Sequence, residues 1–270
     1  MKMKDGHVHT SYCPHGTDEP VSAYIEQAIK LGYKEITFTE HAPLPEGFMD
    51  PAPAHDSSMP IEQLHSYIEE ITRYKQEYQE KISINLGLEV DYIEGWEQET
   101  TKFLNEVGPY LDDAVLSVHF LKNKDRWFCL DYSETEFEHM IQHYQTIERL
   151  YEAYFHTLQK SIHSDLGRFK PNRIGHITLI TKFKKKFPCN LKLDAQLQPI
   201  LSLIKEYGYE LDVHTAGILN PLCGDIYPPL SIIQTAKNMG ISLCYGSDAH
   251  HPTDLGRGMD ILLREKLLTY

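Results

Sequence analysis

The sequence has few cysteines and no long apolar run. Its 270 residues include five cysteines, none of them in a Cys-x-x-Cys pair. An odd, scattered set in a chain of this length argues against a disulfide framework. No segment approaches the about 18 apolar residues that a membrane span needs, and the amino terminus, MKMKDGHVHT, lacks the apolar core of a secretory leader. We therefore expect a cytoplasmic protein that has reduced cysteines and no membrane partner.

Positive charge is also scarce. The chain has 26 Lys and Arg against 39 Asp and Glu, a formal net charge of −13. A surface of this sign repels nucleic-acid phosphates, so we expect no nucleic-acid partner. The sequence contains no Gly-x-Gly-x-x-Gly opening a helix, no Gly-x4-Gly-Lys-[Ser/Thr] and no Gly-x-Ser-x-Gly, which removes the usual signatures of dinucleotide, nucleoside triphosphate and acyl-transfer sites.

Strand-like and helix-like segments alternate along the chain. The expected strands cover residues 4–10, 35–41, 83–91, 113–120, 173–177, 209–215 and 241–250. The expected helices cover residues 20–32, 60–80, 97–107, 134–166, 194–207, 229–239 and 254–267, with His163 as the point where the longest would break. This alternation indicates parallel strands with crossover helices, in a barrel or a doubly wound sheet. We expect one α/β domain over residues 1–270, with a proline-rich loop at 42–60.

Histidine is unusually frequent, with 15 copies, and it is the most common metal ligand in proteins. Many of these histidines fall together with carboxylates at the ends of the expected strands. These residues are His7 and His9, Glu40 and His41, Glu89 and Asp91, His119, His176, Asp212 and His214, and Asp248 and His250. Because the carboxyl ends of parallel barrel strands open on one face, the side chains would converge there. A single His-x-His is weak evidence, but the joint pattern predicts a metal site.

Other histidines and cysteines fit plainer roles. His139 and His143 are four residues apart on an expected helix, but the glutamate of a zinc-binding His-Glu-x-x-His is absent, so we interpret them as a surface pair. Cys13 lies close in sequence to the expected ligands. For this thiol we expect packing in the reduced state rather than metal ligation.

Six segments carry a family resemblance. They are HVHTSYCPHG (7–16), FTEHAPLP (38–45), GLEVDYIEGWE (87–97), SVHFL (117–121), GHITL (175–179) and GSDAH (246–250). Together they resemble the polymerase-and-histidinol-phosphatase (PHP) superfamily, and within it the monofunctional histidinol-phosphate phosphatase branch. The resemblance spans residues 4–258. It implies a distorted seven-stranded (β/α) TIM-like barrel with a metal site at the carboxyl-terminal mouth of the strands.

The resemblance also implies a set of ligands and a reaction. It assigns His7, His9, Glu89 and Asp248 to a first divalent ion, Glu89, His119 and His176 to a second, and His15, His41 and His250 to a third. Zinc, manganese and iron all suit such ligands. The implied reaction is hydrolysis of L-histidinol phosphate to L-histidinol and phosphate, a step of histidine biosynthesis, in which a hydroxide between the first two ions attacks phosphorus.

Further residues are expected to serve this reaction. We expect Glu89, Asp248 and His214 to be catalytic, with His214 as a proton donor to the leaving oxygen. Lys182 and Arg257 are expected to contact phosphate. An acidic rim of Glu40, Asp91 or Asp18 is expected to contact the cationic part of the substrate, with His214 also binding substrate. The chain departs from the family pattern near these positions, with Thr178 in place of an acidic residue, Thr181 and Lys182 where an arginine is expected, and His214 in place of an asparagine.

Three alternatives stay open from the sequence. The chain could be a PHP phosphoesterase for another small phosphomonoester, a non-catalytic metal-binding protein, or an amidohydrolase. Amidohydrolase barrels also begin with His-x-His, but they usually carry a lysine on the fourth strand, where this chain has His119. Tyrosine-rich helix faces allow a homodimer.

Overall fold

Strands and helices alternate over residues 3–268, the part of the chain that the computed structural model describes. The strands are β1 (Lys4–Val8), β2 (Glu35–His41), β3 (Ser83–Asp91), β4 (Asp113–Ser117), β5 (Phe120–Asn123), β6 (Arg126–Cys129), β7 (Arg173–Ile174), β8 (Glu210–His214) and β9 (Leu243–Gly246). The helices are α1 (Val21–Lys30), α2 (Leu64–Glu77), α3 (Glu97–Val107), α4 (Glu134–Tyr144), α5 (Ile147–His163), α6 (Leu193–Tyr207), α7 (Leu230–Asn238) and α8 (Met259–Arg264). Short 3-10 helices cover Ile61–Gln63, Gly108–Tyr110, Leu179–Thr181, Ala216–Ile218 and Pro252–Asp254.

Seven of the strands form one parallel sheet in the order β1-β2-β3-β4-β7-β8-β9. Its two edges meet, because Val8 pairs in parallel with Ala249 just beyond β9. The backbone nitrogen of His9 donates to the carbonyl of Ala249 at 3.0 Å, and that of Asp248 donates to the carbonyl of His7 at 2.8 Å. The sheet is therefore a nearly closed barrel, which confirms the predicted TIM-like architecture and excludes the doubly wound sheet.

Amphipathic helices cover the outside of the barrel. In α2 the residues Leu64, Tyr67 and Ile71 share one face and are buried, as expected for positions three and four apart. The hydroxyl of Tyr67 lies 2.9 Å from the carbonyl oxygen of Gly87 on β3, so a polar contact also fixes this helix on the sheet. No helix within residues 3–268 is both long enough and apolar enough to cross a membrane.

The helical region predicted at residues 134–166 is two helices. It breaks at Gln145, which has a positive φ of 74°, and not at His163, where α5 ends. Each helix has its own cap: the side chain of Ser133 accepts a hydrogen bond from the nitrogen of Glu136, and that of Thr146 accepts one from the nitrogen of Arg149. Two good N-caps in one periodic stretch thus produce two helices.

A β-hairpin replaces the end of the fourth predicted strand. The expected strand 113–120 stops at Ser117, and β5 and β6 pair antiparallel from Phe120 to Cys129. The hairpin packs on the proline-rich loop 42–60, whose Phe48 ring lies 5.3 Å from Trp127 and 5.4 Å from Phe120. The loop is therefore held against the hairpin by an apolar cluster. The fifth and seventh strands and the last helix are also shorter than predicted, at Arg173–Ile174, Leu243–Gly246 and Met259–Arg264.

Candidate metal centre

A cavity opens at the carboxyl ends of the barrel strands. Its volume is about 400 Å³. The predicted site residues on its wall are His15, His41, Glu89, His119, His176, Lys182, His214, Asp248 and His250. His7 and His9, fully buried at the end of β1, reach the same place, since their Nε2 atoms lie near Glu89 and Asp248. The fold thus brings together the nine residues that the family pattern assigns as ligands.

Three of these histidines each contact a buried carboxylate through Nδ1 of the ring. The pairs, measured from Nδ1 to the carboxylate oxygen, are His7–Asp212 at 2.9 Å, His9–Glu40 at 3.0 Å and His119–Asp91 at 2.8 Å. All three carboxylates are buried. Such a carboxylate fixes the orientation of a metal-binding imidazole and leaves its Nε2 for the ion.

Glu89 lies between several of the rings. Its Oε2 is 3.4 Å from Nε2 of His7 and 3.1 Å from Nδ1 of His41, and its Oε1 is 2.9 Å from Nε2 of His176. The register of β2 against β3 pairs His41 with Glu89, so sheet pairing itself creates part of this arrangement. A carboxylate whose two oxygens face different imidazoles is suited to bridge two ions.

Asp248 reaches into the cavity from an unusual backbone conformation. Its φ is +52°, a left-handed value that aspartate tolerates better than most residues and that often occurs at functional sites. Its Oδ1 lies 3.0 Å from Nε2 of His9 and its Oδ2 lies 3.0 Å from Nε2 of His214. Gly246 allows this close packing, because a Cβ there would lie 2.6 Å from the Cβ of His7.

Charges within the centre shift its pKa values strongly. Burial alone would raise the pKa of Glu89, but His7 and His119 more than offset it and hold that pKa well below its usual range. Burial also disfavours charged imidazoles, yet Glu89 and Asp212 raise the pKa of His7 well above its ordinary value. Asp91, followed by Glu89, likewise raises the pKa of His119 to about 10. Protons on these rings therefore balance the buried carboxylates, and divalent cations could replace those protons.

The donor atoms fit metal ions. Four groups place their ligand atoms within 4.8 Å of one another: His7, His9 and Glu89; His7, His214 and Asp248; Glu89, His119 and His176; and His9, Cys13, His41 and His250. Within residues 3–268, Nε2 of His7, Nε2 of His9 and Nδ1 of His41 are buried and face carboxylate oxygens at 3.0–3.4 Å without a well-aligned hydrogen bond. Buried nitrogens are usually satisfied, so these atoms are suited to an ion. Imidazole nitrogen with carboxylate oxygen is a set that zinc binds readily.

The structure separates the four residues that were predicted to bind substrate. Lys182 and His214 line the cavity, whereas Arg257 and Glu40 do not. Arg257 forms an ion pair with Asp254 at 2.5 Å, and Glu40 is fully buried behind His9. The substrate contacts expected for Arg257 and Glu40 stay predictions from the sequence, because position near a strand end does not set the direction of a side chain.

Several cavity residues were not predicted from the sequence. They come from the proline-rich loop, the hairpin and the loops after β7 and β8: Ser57, Cys129, Asp131, Tyr132, Leu179, Ala216, Gly217, Asn220 and Tyr227. Asp131, directly after the hairpin, is the most informative, because its Oδ2 accepts a hydrogen bond from Nζ of Lys182 at 3.0 Å and its carbonyl accepts another at 2.8 Å. Recognition of the hairpin would have been needed to find it.

The fold and this site define a class, a parallel β/α barrel with a histidine–carboxylate metal centre at its mouth. Comparison with known proteins agrees, because the model of the PHP domain matches residues 5–216. The chain belongs to the PHP domain family.

Three similar proteins have names or structures that bear on function. The histidinol-phosphatase of Bacillus subtilis is 45% identical over 265 residues, which cover 97% of this chain and 99% of that protein. A crystal structure from Listeria monocytogenes, provisionally named a histidinol phosphatase, is 39% identical with a TM-score of 0.92, covering 96% of this chain and 99% of that one. A histidinol phosphate phosphatase from Lactococcus lactis, crystallised with zinc, L-histidinol and phosphate, is 22% identical with a TM-score of 0.70. It covers 98% of this chain and 92% of the other, and it supports the fold.

Proposed function

We propose that this protein is a metal-dependent phosphomonoesterase that hydrolyses L-histidinol phosphate to L-histidinol and phosphate. The observation that carries the proposal is the convergence of histidine and carboxylate side chains at one cavity of about 400 Å³, with four groups of ligand-type atoms that lie within 4.8 Å of one another. The 45% identity to the Bacillus subtilis histidinol-phosphatase over nearly the whole of both chains supports the choice of substrate.

The centre is proposed to hold three divalent ions, with zinc preferred and manganese or iron as substitutes. His7, His9, Glu89 and Asp248 would hold the first and Glu89, His119 and His176 the second. The third would lie beside His41 and His250, where the family pattern also places His15. When bound, such ions neutralise the charge of a phosphate and lower the pKa of water.

The protein groups around the phosphate would complete the reaction. Glu89 and Asp248 hold the centre together, because each contacts at least two imidazoles through different oxygens. Nε2 of His214 lies 3.0 Å from Asp248, which orients the ring on the cavity wall. A proton on this ring would be available to the leaving oxygen of the substrate. Nζ of Lys182 on the same wall would donate a hydrogen bond to a phosphate oxygen.

Asp131 is proposed to take the role that the sequence suggested for Glu40. Three acids line the cavity, Glu89, Asp131 and Asp248, and of these only Asp131 lies outside the four groups of ligand atoms. Burial would raise the pKa of Asp131, but the Lys182 ammonium and His119 hold it well below its usual range. An ionised carboxylate is therefore available for the amine or imidazole of histidinol. The homodimer, the cytoplasmic location and the single domain over 1–270 stay predictions from the sequence.

The test is phosphate release by purified protein after chelation and after restoration with zinc, manganese or iron. The substrates would be L-histidinol phosphate, O-phosphoethanolamine, which keeps the amine and lacks the imidazole, and p-nitrophenyl phosphate, which lacks both. The proposal expects metal-restored turnover with histidinol phosphate strongly preferred. Equal turnover of all three would indicate a general phosphomonoesterase, and bound metal without turnover would indicate the non-catalytic alternative.

A further inference from the structure

One ion pair lies on the wall of the cavity beside the candidate metal centre. Nζ of Lys182 donates to the carbonyl oxygen of Asp131 at 2.8 Å and to its Oδ2 at 3.0 Å. Within residues 3–268, Lys182 is the only lysine or arginine on the cavity wall, and Asp131 is the only carboxylate there outside the four groups of ligand atoms. The cation available to a phosphate and the acid available to an amine are therefore bound to each other.

The two members of the pair come from segments that the fold holds in place. Lys182 ends the short helix Leu179–Thr181, whose first carbonyl accepts from its nitrogen at 2.9 Å. Asp131 follows the β5–β6 hairpin, where the nitrogen of Leu130 donates to the carbonyl of His119 at 2.9 Å. Because a lysine side chain is long and flexible, Nζ can leave Asp131 without movement of either backbone.

The pair can be reached from the cavity. The side chain of Lys182 is 28% exposed and that of Asp131 is 23% exposed. The second carboxylate oxygen of Asp131, Oδ1, lies 3.6 Å from the sulfur of Cys129, and a thiol is only a weak donor. This oxygen can therefore accept a hydrogen bond from a stronger donor in the cavity, such as an ammonium group.

Both members of the pair carry their charge at neutral pH. Burial would lower the pKa of Lys182, but Asp131 raises it above its ordinary value, with a further contribution from Asp248. The same pairing outweighs burial at Asp131 and holds its pKa below the usual range. A ligand that binds one member alone leaves the other without its counter-ion, which is costly wherever water is partly excluded.

We infer that the Lys182–Asp131 ion pair determines specificity by exchange: the phosphate of the substrate binds Lys182 while the ammonium of the same substrate binds Asp131. The inference rests on the proposed function, because both residues act on bound histidinol phosphate. A substrate that carries both groups replaces one ion pair by two. A phosphomonoester without a cation can engage Lys182 only by leaving Asp131 unpaired, and an unpaired charge discriminates against such a ligand. The pair therefore selects phosphomonoesters of amino alcohols.

Steady-state kinetics of the zinc-loaded protein tests the exchange through effects of opposite sign. Asp131→Asn should lower kcat/KM for L-histidinol phosphate by about 10- to 100-fold, since a charged hydrogen bond is lost. The same variant should raise kcat/KM for p-nitrophenyl phosphate by about 2- to 5-fold, because Lys182 no longer has to leave a partner. Asp225→Asn breaks the pair with Lys184 outside the cavity and should change neither value.

The exchange is overturned if either value fails to move in its stated direction. A fall for both substrates would make Asp131 a general support of the site, and an unchanged value for p-nitrophenyl phosphate would make it a simple contact for the amine. In both cases the wild-type protein would still hydrolyse histidinol phosphate, so the proposed function would stand.

Binding of the two products to the wild-type protein gives a second test that needs no turnover. Phosphate and L-histidinol would each have to break the same ion pair, so the second product binds without that cost. By calorimetry, saturating L-histidinol should tighten the binding of inorganic phosphate by about 2- to 5-fold, and Asp131→Asn should largely remove this effect. Equal phosphate affinity with and without L-histidinol would overturn the exchange even if the variant fails to fold. Protein that does not hydrolyse histidinol phosphate would refute the proposed function, and the binding measurement would still decide the exchange.

Discussion

Nδ1 of His7 lies 2.9 Å from Oδ2 of Asp212, and neither side chain has any exposed surface. The histidine belongs to β1 and the aspartate to β8. Because the barrel closes between β9 and β1, only β9 lies between these two strands. The contact turns Nε2 of His7 towards Glu89, 3.4 Å away. A fully buried carboxylate that does not line the cavity therefore sets the direction of a candidate ligand.

Replacement of this carboxylate should weaken metal binding without unfolding the protein. In Asp212→Asn the zinc affinity should fall by about 10- to 100-fold, because the amide neither fixes the ring of His7 as firmly nor raises its basicity. Competition with a chromogenic chelator measures the affinity, and circular dichroism reports the fold. Glu210→Gln is the matched control, two residues earlier on β8 and one-third exposed. Equal zinc affinity in the two variants would show that the Asp212 contact is not a metal support.

Lys182 should matter for turnover and not for metal content. Its Nζ is bound to Asp131 on the cavity wall, and loss of a hydrogen bond to a charged phosphate costs about 1.5–3 kcal/mol. Lys182→Met should therefore lower kcat/KM for histidinol phosphate by about 10- to 100-fold.

Lys184→Met is the control for that variant, since Lys184 is two residues away and pairs with Asp225 at 2.6 Å without lining the cavity. Zinc content by mass spectrometry should be the same in the wild type and both variants. A zinc loss in Lys182→Met, or equal kinetics in the two variants, would remove Lys182 from the phosphate site.

The barrel could be predicted because its strands carry a local signal. Each expected strand is a short run of β-branched and apolar residues that ends in histidine or a carboxylate, and the strict alternation with helices allows few topologies. Even His119, which lies two residues beyond the end of β4, reaches the centre, because Asp91 on the neighbouring β3 holds its ring and its backbone nitrogen. The convergence of these side chains was thus predictable wherever it depended on strand position.

What could not be predicted depends on contacts between distant segments. The β5–β6 hairpin turns at Lys124 with a φ of 54°, without the Asn-Gly or Asp-Gly pair that marks most two-residue hairpin loops. Asp131 follows that hairpin and was missed with it. Glu40 was expected at the cavity surface, but Thr10 donates to its Oε2 through both nitrogen and hydroxyl, which pulls the carboxylate behind His9. Only tertiary structure reveals that direction.

Glu89 should be the residue whose charge matters most. Glu89→Gln keeps the shape of the side chain but removes the negative charge that faces His7, His41 and His176. Because a bridging carboxylate and its ions contribute several kcal/mol to phosphoryl transfer, turnover should fall by roughly 1,000-fold, with loss of bound zinc. Glu94→Gln is the matched control, five residues further on and paired with Lys160 at 2.6 Å. Wild-type turnover in Glu89→Gln would refute the proposed centre.

Metal binding should release protons even at pH 7.5. In the metal-free protein, burial opposes the charged forms, but Asp248 and Glu40 raise the pKa of His9 to about 9, and Asp91 and Glu89 raise that of His119 to about 10. Both rings are then protonated at pH 7.5, and they must lose their protons to bind an ion. Zinc binding should release about two or more protons per chain, so the affinity should fall as the pH is lowered, by about 100-fold or more from pH 8 to pH 7.

Calorimetry in buffers of different ionisation enthalpy counts these protons directly. Asp91→Asn serves as the internal comparison, because it removes the carboxylate that acts most strongly on His119 and should reduce the release by about one proton. Imidazoles with an ordinary pKa of about 6.5 would already be mostly neutral at pH 7.5. A release near zero, with an affinity that is flat between pH 7 and pH 8, would therefore mean that the buried carboxylates do not hold these rings in their charged form.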